Sequence, residues 1–371
     1  MKIINIITSL EDGGAEKTLY KICKYDSVNK LTVISLRGTG KYFSLLKKLG
    51  IKVYCLDMKY YSIIKFYSLI RLINSLNPDV VQTWLPHGDF IGGIAARLAG
   101  INKVVWNIRY SNLANGVVKL KTFFLINILS KLSYIIPKAI IVNSNSGLKN
   151  CRNLGYSNKK LTLIHNGYDF FNFFQYKKKN FIRKKFKINK KTHLIGLVAR
   201  YDPTKDHENL LNALSIIKKK NIKFFCVLIG TEIQNKILVG QINRLGLSSC
   251  VKLIGRINDI FSYLNELDIH VLSSKTEGFP NVVAEAMACG TPCVVTDVGD
   301  AAIIVGKTGW IAPPKNSIKL ANTIEKALSE VGNKSWKKRC YEAKLRIKKK
   351  FEISKMVKSF NKIWSKINKK K

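Results

Sequence analysis

The stretch SSKTEGFPNVVAEAM, residues 273–287, places two carboxylates, Glu277 and Glu285, eight residues apart in a chain that is short of acid. Gly278 lets the backbone come close to a ligand, and Pro280 leads into a helix-like run that starts near Asn281. The first free amides of such a helix form an anion site. Glu277 sits in the loop just before them and Glu285 about one turn inside, so both can address one ligand. Carboxylates accept hydrogen bonds, which suits hydroxyl-bearing partners such as sugars and riboses. The competing reading is structural: an acid near a helix N-terminus complements the macrodipole.

A second set is basic. VARYDPTKDHENLLNAL carries Arg200 and Lys205 five apart, a planar fork and a point charge that fit phosphate oxygens. Two solvated cations among 64 Lys and Arg would look the same. EDGGAEKTL places Gly13 and Gly14 between an apolar run and a helical pattern. It is not a GxGxxG and is a weak phosphate signal by itself. His87, in WLPHGDF, opens a helix after a strand; alone it reads as structural.

The elements that must position these residues alternate. Apolar runs such as KIINIIT, KLTVISL, VVQTWL and AIIVNSN are separated by helical patterns, and the series restarts at HLIGLVAR with KFFCVLIG, VKLIG, IHVLSS and PCVVTD. Strands alternating with helices of 10–15 residues predict parallel sheets with crossover helices, and two such series predict two doubly wound α/β halves. In that architecture ligands collect at the carboxyl ends of strands, which is where every candidate above falls. The expected division is 1–175, a basic linker 176–192 with a solvated helix, and 193–349. One long amphipathic helix, beginning near 336, is expected to complete the first domain with its last part, about 350–371. From Lys177 to Thr192 there are nine basic residues and no acid.

The 371 residues hold 64 Lys and Arg against 23 Asp and Glu, a net charge of +41. Such a field attracts polyanions; coding bias towards Lys is the other source of it. The eight Cys include no CxxC pair and no matching ligand set, so no metal site is expected, and reduced thiols suit an intracellular protein. MKIINIITSL lacks the features of a signal peptide, and no apolar run reaches the ~18 residues of a membrane span. A cytoplasmic protein, peripheral at the inner face of the cell membrane if it touches one, is the expectation.

The run EGFPNVVAEAMACGTPCVV, Glu277 to Val295, closely resembles the signature of the retaining glycosyltransferases of GT-B fold, family 4 type. The resemblance implies roles. Glu277 would bind donor-sugar hydroxyls near the reacting carbon and Glu285 the nucleotide ribose. Gly278, Phe279 and the amides of Asn281, Val282 and Val283 would line the diphosphate and sugar. Arg200 and Lys205 would hold the diphosphate, Arg256 and Ile257 in LIGRINDI would meet the nucleobase, and Gly13 and Gly14 would close over phosphates and acceptor. His87 would face the donor sugar and acceptor, donating a hydrogen bond or moving a proton. LIHNGYDFFNF, 164–174, matches the segment that ends the first domain of such enzymes, and two Rossmann-like domains facing a central cleft are implied, with a C-terminal helix crossing back.

The implied reaction is metal-independent transfer of a hexosyl-type sugar, with retention, from a UDP- or GDP-linked donor to an acceptor hydroxyl. The nucleotide sugar is a substrate and no cofactor is implied. No Asp-x-Asp motif stands ready for a divalent metal, so protein cations would neutralise the leaving diphosphate. A glycan or lipid-linked glycan acceptor of surface polysaccharide or lipopolysaccharide synthesis is expected. So is contact with an anionic membrane surface through the apolar, Lys-bearing stretch 117–137. The alternatives are a basic nucleic-acid-binding protein, for which charge is the sole argument and no reader motif exists, and a GT-B enzyme of another reaction, such as an epimerase.

Overall fold

The computed structural model describes residues 1–58, 62–109, 120–170 and 180–369. The chain divides into two compact units: Met1–Gly167 with Ile353–Lys371, and Tyr168–Glu352.

The first unit is built on seven parallel strands: β1 Lys2–Ser9, β2 Lys30–Arg37, β3 Lys52–Cys55, β4 Val80–Trp84, β5 Val104–Ile108, β6 Ala139–Val142 and β7 Leu161–Leu163. Their order is β3-β2-β1-β4-β5-β6-β7. Strands β4 and β5 are buried along their whole length, polar Gln82, Thr83 and Asn107 included, as befits parallel strands covered on both faces. The two faces still separate by the strand period of two. Ile3 and Ile7 enter the cluster with Leu19, Trp84 and Phe360, whereas Ile4 and Ile6 enter the one with Val81, Trp106 and Leu129.

The second unit repeats the plan with six strands: β8 His193–Val198, β9 Phe224–Ile229, β10 Val251–Gly255, β11 Ile269–Leu272, β12 Cys293–Thr296 and β13 Trp310–Ala312. The order is β10-β9-β8-β11-β12-β13. In each sheet the winding direction reverses at one place, between β1 and β4 in the first and between β8 and β11 in the second. Loops leaving neighbouring strands diverge there and open a crevice at the carboxyl edge.

Two expectations need correction. The tail is two helices, Lys334–Phe351 and Ile353–Lys369, interrupted at Glu352, whose φ of −64° and ψ of 141° are extended. One helix could not serve both cores: Ala343, Ile347 and Phe351 bury in the second unit, and Met356, Phe360 and Trp364 in the first. The basic segment 176–192, described from residue 180, is not simply solvated. Its helix Phe181–Lys185 inserts Ile182, fully buried, and the Phe181 and Ile182 amides donate to the Glu266 carboxylate at 2.7 and 2.9 Å. That acid satisfies orphan amides at the helix start.

Candidate active site

The loop after β8 carries Arg200 and Lys205, and the loop after the adjacent strand β11 carries Glu277. Both therefore leave the switch point of the second sheet. Lys205 Nζ lies 2.6 Å from Glu277 Oε1, and Ser274 Oγ donates to the same oxygen at 2.7 Å. The two loops are laced together along their backbones. Ser273 Oγ donates to the Lys205 carbonyl at 3.0 Å, the Lys275 amide donates to the Thr204 carbonyl at 2.7 Å, and Lys275 Nζ pairs with Asp206 at 3.2 Å. From the other side, Thr296 Oγ1 donates to the Ser274 carbonyl at 2.7 Å and the Asp300 amide to the Gly278 carbonyl at 2.8 Å. The carboxylate is thus fixed before any ligand arrives, the preorganisation that makes an electrostatic site effective.

Arg200 occupies the same loop in a different state. Its guanidinium forks onto Asp202 Oδ2 at 2.8 and 3.1 Å, and its side chain is 66% exposed. Burial would raise the Asp202 carboxyl, but hydrogen bonds from the Thr204 hydroxyl and amide and from Arg200 outweigh it and hold it at about 2. Asp202 is therefore a permanent anion that parks Arg200 beside the site.

The helix Asn281–Cys289 begins directly after Pro280 and presents its first amides at the carboxyl edge. Phe279 and Val283 bury their side chains in the core, Phe279 edge-on to Phe351 with ring centroids 5.4 Å apart, so their backbone is what remains for a ligand. Glu285 is buried one turn into this helix. Asn281 Oδ1 accepts from the Tyr168 hydroxyl at 2.6 Å. Arg256, exposed, and Ile257, half-buried, follow β10 at the edge of the same sheet. All four residues expected to converge, Arg200, Lys205, Glu277 and Glu285, belong to the second unit; Lys205 and Glu277 touch.

In the first unit, Gly13 and Gly14 follow β1 and His87 follows β4, the strands of its own switch point. A Cβ on Gly13 would stand 2.2 Å from Glu16 Oε2. Glu16 folds back over the helix start, where burial pushes its carboxyl up, its own amide opposing and Glu11 and Asp12 adding to the rise. His87 ends a short turn, Leu85–His87, that runs into a π-helical turn, Gly88–Gly92. It lines a small cavity with Thr8, Leu36, Arg37, Met58 and Ile91. Burial, then the Arg37 charge, lowers its proton affinity. Asp89, fully buried, is pushed well up by burial against hydrogen bonds from Thr83, at 2.5 Å, and the Asn107 amide.

Sequence reasoning missed several partners: Ser274, Asp202, and two glycines that allow the loops to close. Gly299 has φ +58°, and a Cβ there would stand 2.5 Å from the carbonyl oxygens of Glu277 and Gly278. A Cβ on Gly230, after β9, would stand 1.9 Å from the Ala199 carbonyl oxygen. A glycine within three residues of a strand's carboxyl end was the available signal.

Comparison with known proteins agrees in both halves. Residues 178–345 match the family model of glycosyl transferases group 1, and residues 12–170 match that of glycosyltransferase family 4. The chain is 28% identical over 273 residues to the capsular polysaccharide biosynthesis glycosyltransferase CapM of Staphylococcus aureus, covering 71% of this chain and 70% of that one. It is 29% identical over 306 residues to the N,N'-diacetylbacillosaminyl-diphospho-undecaprenol alpha-1,3-N-acetylgalactosaminyltransferase of Campylobacter jejuni, covering 78% and 80%. Among solved structures, Anabaena Alr3699/HepE in complex with UDP has a TM-score of 0.85 at 22% identity, covering 99% of this chain and all of that one. That likeness identifies the fold as GT-B.

Proposed function

The chain belongs to the group 1, family 4 glycosyltransferases, and on that premise we propose that it moves a hexosyl-type sugar from a UDP- or GDP-linked donor to a lipid-linked saccharide, with retention and without a metal. The observation that carries this reading is the fixed Lys205–Glu277 contact at the β8/β11 switch point, one turn of chain before the start of the helix Asn281–Cys289. Glu277 offers an acceptor for sugar hydroxyls. Lys205, the swinging Arg200 fork and the helix amides supply positive potential for a departing diphosphate, where charge develops in the transition state. Arg200 would exchange Asp202 for a phosphate oxygen when the donor binds. The second unit thus takes the donor, with Glu285 on the ribose and Arg256 and Ile257 near the base. The first unit, with Gly13, Gly14 and His87, takes the acceptor.

Two observations support a lipid-linked acceptor. The CapM and Campylobacter relatives act, by their names, in capsule synthesis and on a diphospho-undecaprenol. Within the described part of 117–137, Leu120 (86%), Phe124 (68%) and Ile135 (69%) are exposed beside Lys121 and Lys131. Basic-apolar faces bind anionic interfaces; residues 117–119 lie outside the described ones. Among the described residues no helix is long and apolar enough to cross a membrane.

A donor panel tests the reading: release of UDP or GDP from individual sugar nucleotides. Release from at least one is expected; none from any, with a lipid-linked acceptor pool present, overturns it. Sedimentation with anionic vesicles tests the surface contact. Leu120→Ser/Phe124→Ser should pellet less than wild type, whereas absence of binding by the wild type at low salt rejects it.

A further inference from the structure

The amino edge of the first sheet, at the opposite end of its strands from Gly13, Gly14 and His87, carries a cleft of about 140 Å³. Three of its lining residues open three neighbouring strands: Lys2 starts β1, Lys30 starts β2 and Lys52 starts β3. The register decides where they point. Lys2 pairs with Lys30, and Lys52 pairs with Thr32, two residues on from Lys30. All four side chains therefore leave one face of the sheet. Ile4 lies on that face too, packed in one cluster with Leu69 and Ile73 of the helix Ile63–Leu76. Ser75 and Pro78, at and just beyond the end of this helix, form the opposite wall of the cleft.

The fold gains nothing from this grouping. Like charges opposite each other on neighbouring strands destabilise a sheet. Lys2, Lys30 and Lys52 are all exposed, and none of their ammonium groups meets a carboxylate among the described residues. Asp79, next to Pro78 in the chain, turns its carboxylate to the Lys2 amide at 2.7 Å, one charge against three. Cations can serve the last carbonyls of a helix, but several are already met here. The amide of Asn77, left-handed at φ 42°, donates to the Ile73 and Asn74 carbonyls, both at 3.1 Å, and Ser75 Oγ donates to the Leu72 carbonyl at 3.0 Å.

Thr32 is the second observation. It is 8% exposed and lines the cleft, yet its hydroxyl makes no hydrogen bond among the described residues. A buried hydroxyl left so is costly unless something in the cleft meets it. The space is roughly ten times the ~10–15 Å³ that one water requires, so it admits a group of several heavy atoms. A sheltered hydroxyl beside three ammoniums fits an anion with many oxygens and more than one negative charge, which describes a phosphate chain.

We propose that this cleft is a second anion site, separate from the donor crevice, that binds the phosphate chain of a soluble di- or triphosphate-bearing metabolite. β1 spans eight residues, which puts the cleft about 23 Å along the strand from the carboxyl edge. The exposed apolar residues Leu120 and Phe124 open the helix that enters the sheet from that far edge. A protein resting on a membrane through them turns the cleft towards the solvent, which is why a soluble anion is the occupant. The site does not depend on the transferase reading.

The test is titration calorimetry of the full chain with inorganic pyrophosphate at physiological salt. Wild type should take up one more pyrophosphate than Lys30→Gln/Lys52→Gln, or bind it at that site roughly tenfold or more tightly, as expected for loss of charged hydrogen bonds. Thr32→Val should weaken the same site several-fold. Lys219→Gln/Lys236→Gln, which removes the same charge from exposed positions of the second unit, should match wild type. Pyrophosphate should raise the melting temperature of wild type more than that of Lys30→Gln/Lys52→Gln. Equal uptake by wild type and Lys30→Gln/Lys52→Gln overturns the proposal, as does equal weakening in the Lys219/Lys236 control, which would leave only the general field of the protein. Sedimentation with phosphatidylcholine vesicles containing cardiolipin checks the source. Pelleting should be the same for wild type and Lys30→Gln/Lys52→Gln; pelleting lost in that variant would make a lipid headgroup the occupant and overturn the soluble assignment. Lys205→Gln separates the two readings: it should keep this site and lose pyrophosphate at the donor crevice, and a failure of that loss counts against the transferase reading alone.

Discussion

Glu277 is the residue on which the proposed donor site turns. It accepts from Lys205 and Ser274 at once, so a neutral isostere keeps the shape and loses the charge. Glu277→Gln should lower kcat by on the order of 10²-fold or more and leave the melting temperature within about 3 °C of wild type. Normal turnover would remove Glu277 from the site. The contact was half legible. The types and spacing of Glu277, Arg200 and Lys205 pointed to the chemistry, but that Arg200 rests on Asp202 depends on a turn made by Thr204, which spacing alone does not encode. Two buried histidines of the second unit set a different property. Burial holds His270 at about 3 and, with the Lys205 charge, His207 at about 4. Both are neutral when folded but take up a proton near 6.5 when unfolded, so protons favour the unfolded chain. Stability should be flat above pH 7 and fall as pH drops from about 6.5 towards 4, a fall that His270→Phe should reduce in a melting series.

At the scale of elements, the site depends on loops that meet without side chains between them. Gly299, with its positive φ, passes behind the Glu277–Gly278 carbonyls, and Gly230 passes behind the Ala199 carbonyl. Gly299→Ala faces both a left-handed conformation and a clash. It should cost about 1–3 kcal/mol in urea unfolding and lower activity by displacing Glu277; an unchanged denaturation midpoint would refute the packing argument. The helices and central strands were readable because long apolar runs and 3.6-residue periods are strong signals. The two strands that were not expected, β7 and β13, are three-residue edges. β7 is only half-buried and β13 exposes Ile311, so neither leaves a period to read. The break at Glu352 was hidden for the opposite reason: apolar spacing runs on across it, and only the change of core partners shows that two helices are present.

For the whole molecule, the unusual term is charge. A net +41 makes any anion an attractive ligand, so the assignments rest on built contacts rather than on affinity for polyanions. The other global feature is the return of the chain. The helix Ile353–Lys369 places Phe360 and Trp364, both fully buried, against Trp84 and Gln82, with Trp364 Nε1 donating to Gln82 Oε1 at 2.5 Å. Trp364→Ala should cost about 3–5 kcal/mol, read as a loss of unfolding free energy in denaturant.

That return fixes an order of events during synthesis. Residues 168–352 are contiguous and can assemble while the ribosome is still at work. The earlier-made sheet, with Trp84 and Gln82 in its middle, waits with an uncovered apolar flank until residue 364 has emerged. The half of the molecule made first is therefore the half finished last, and a nascent chain arrested near residue 350 would expose that flank to chaperones or to aggregation.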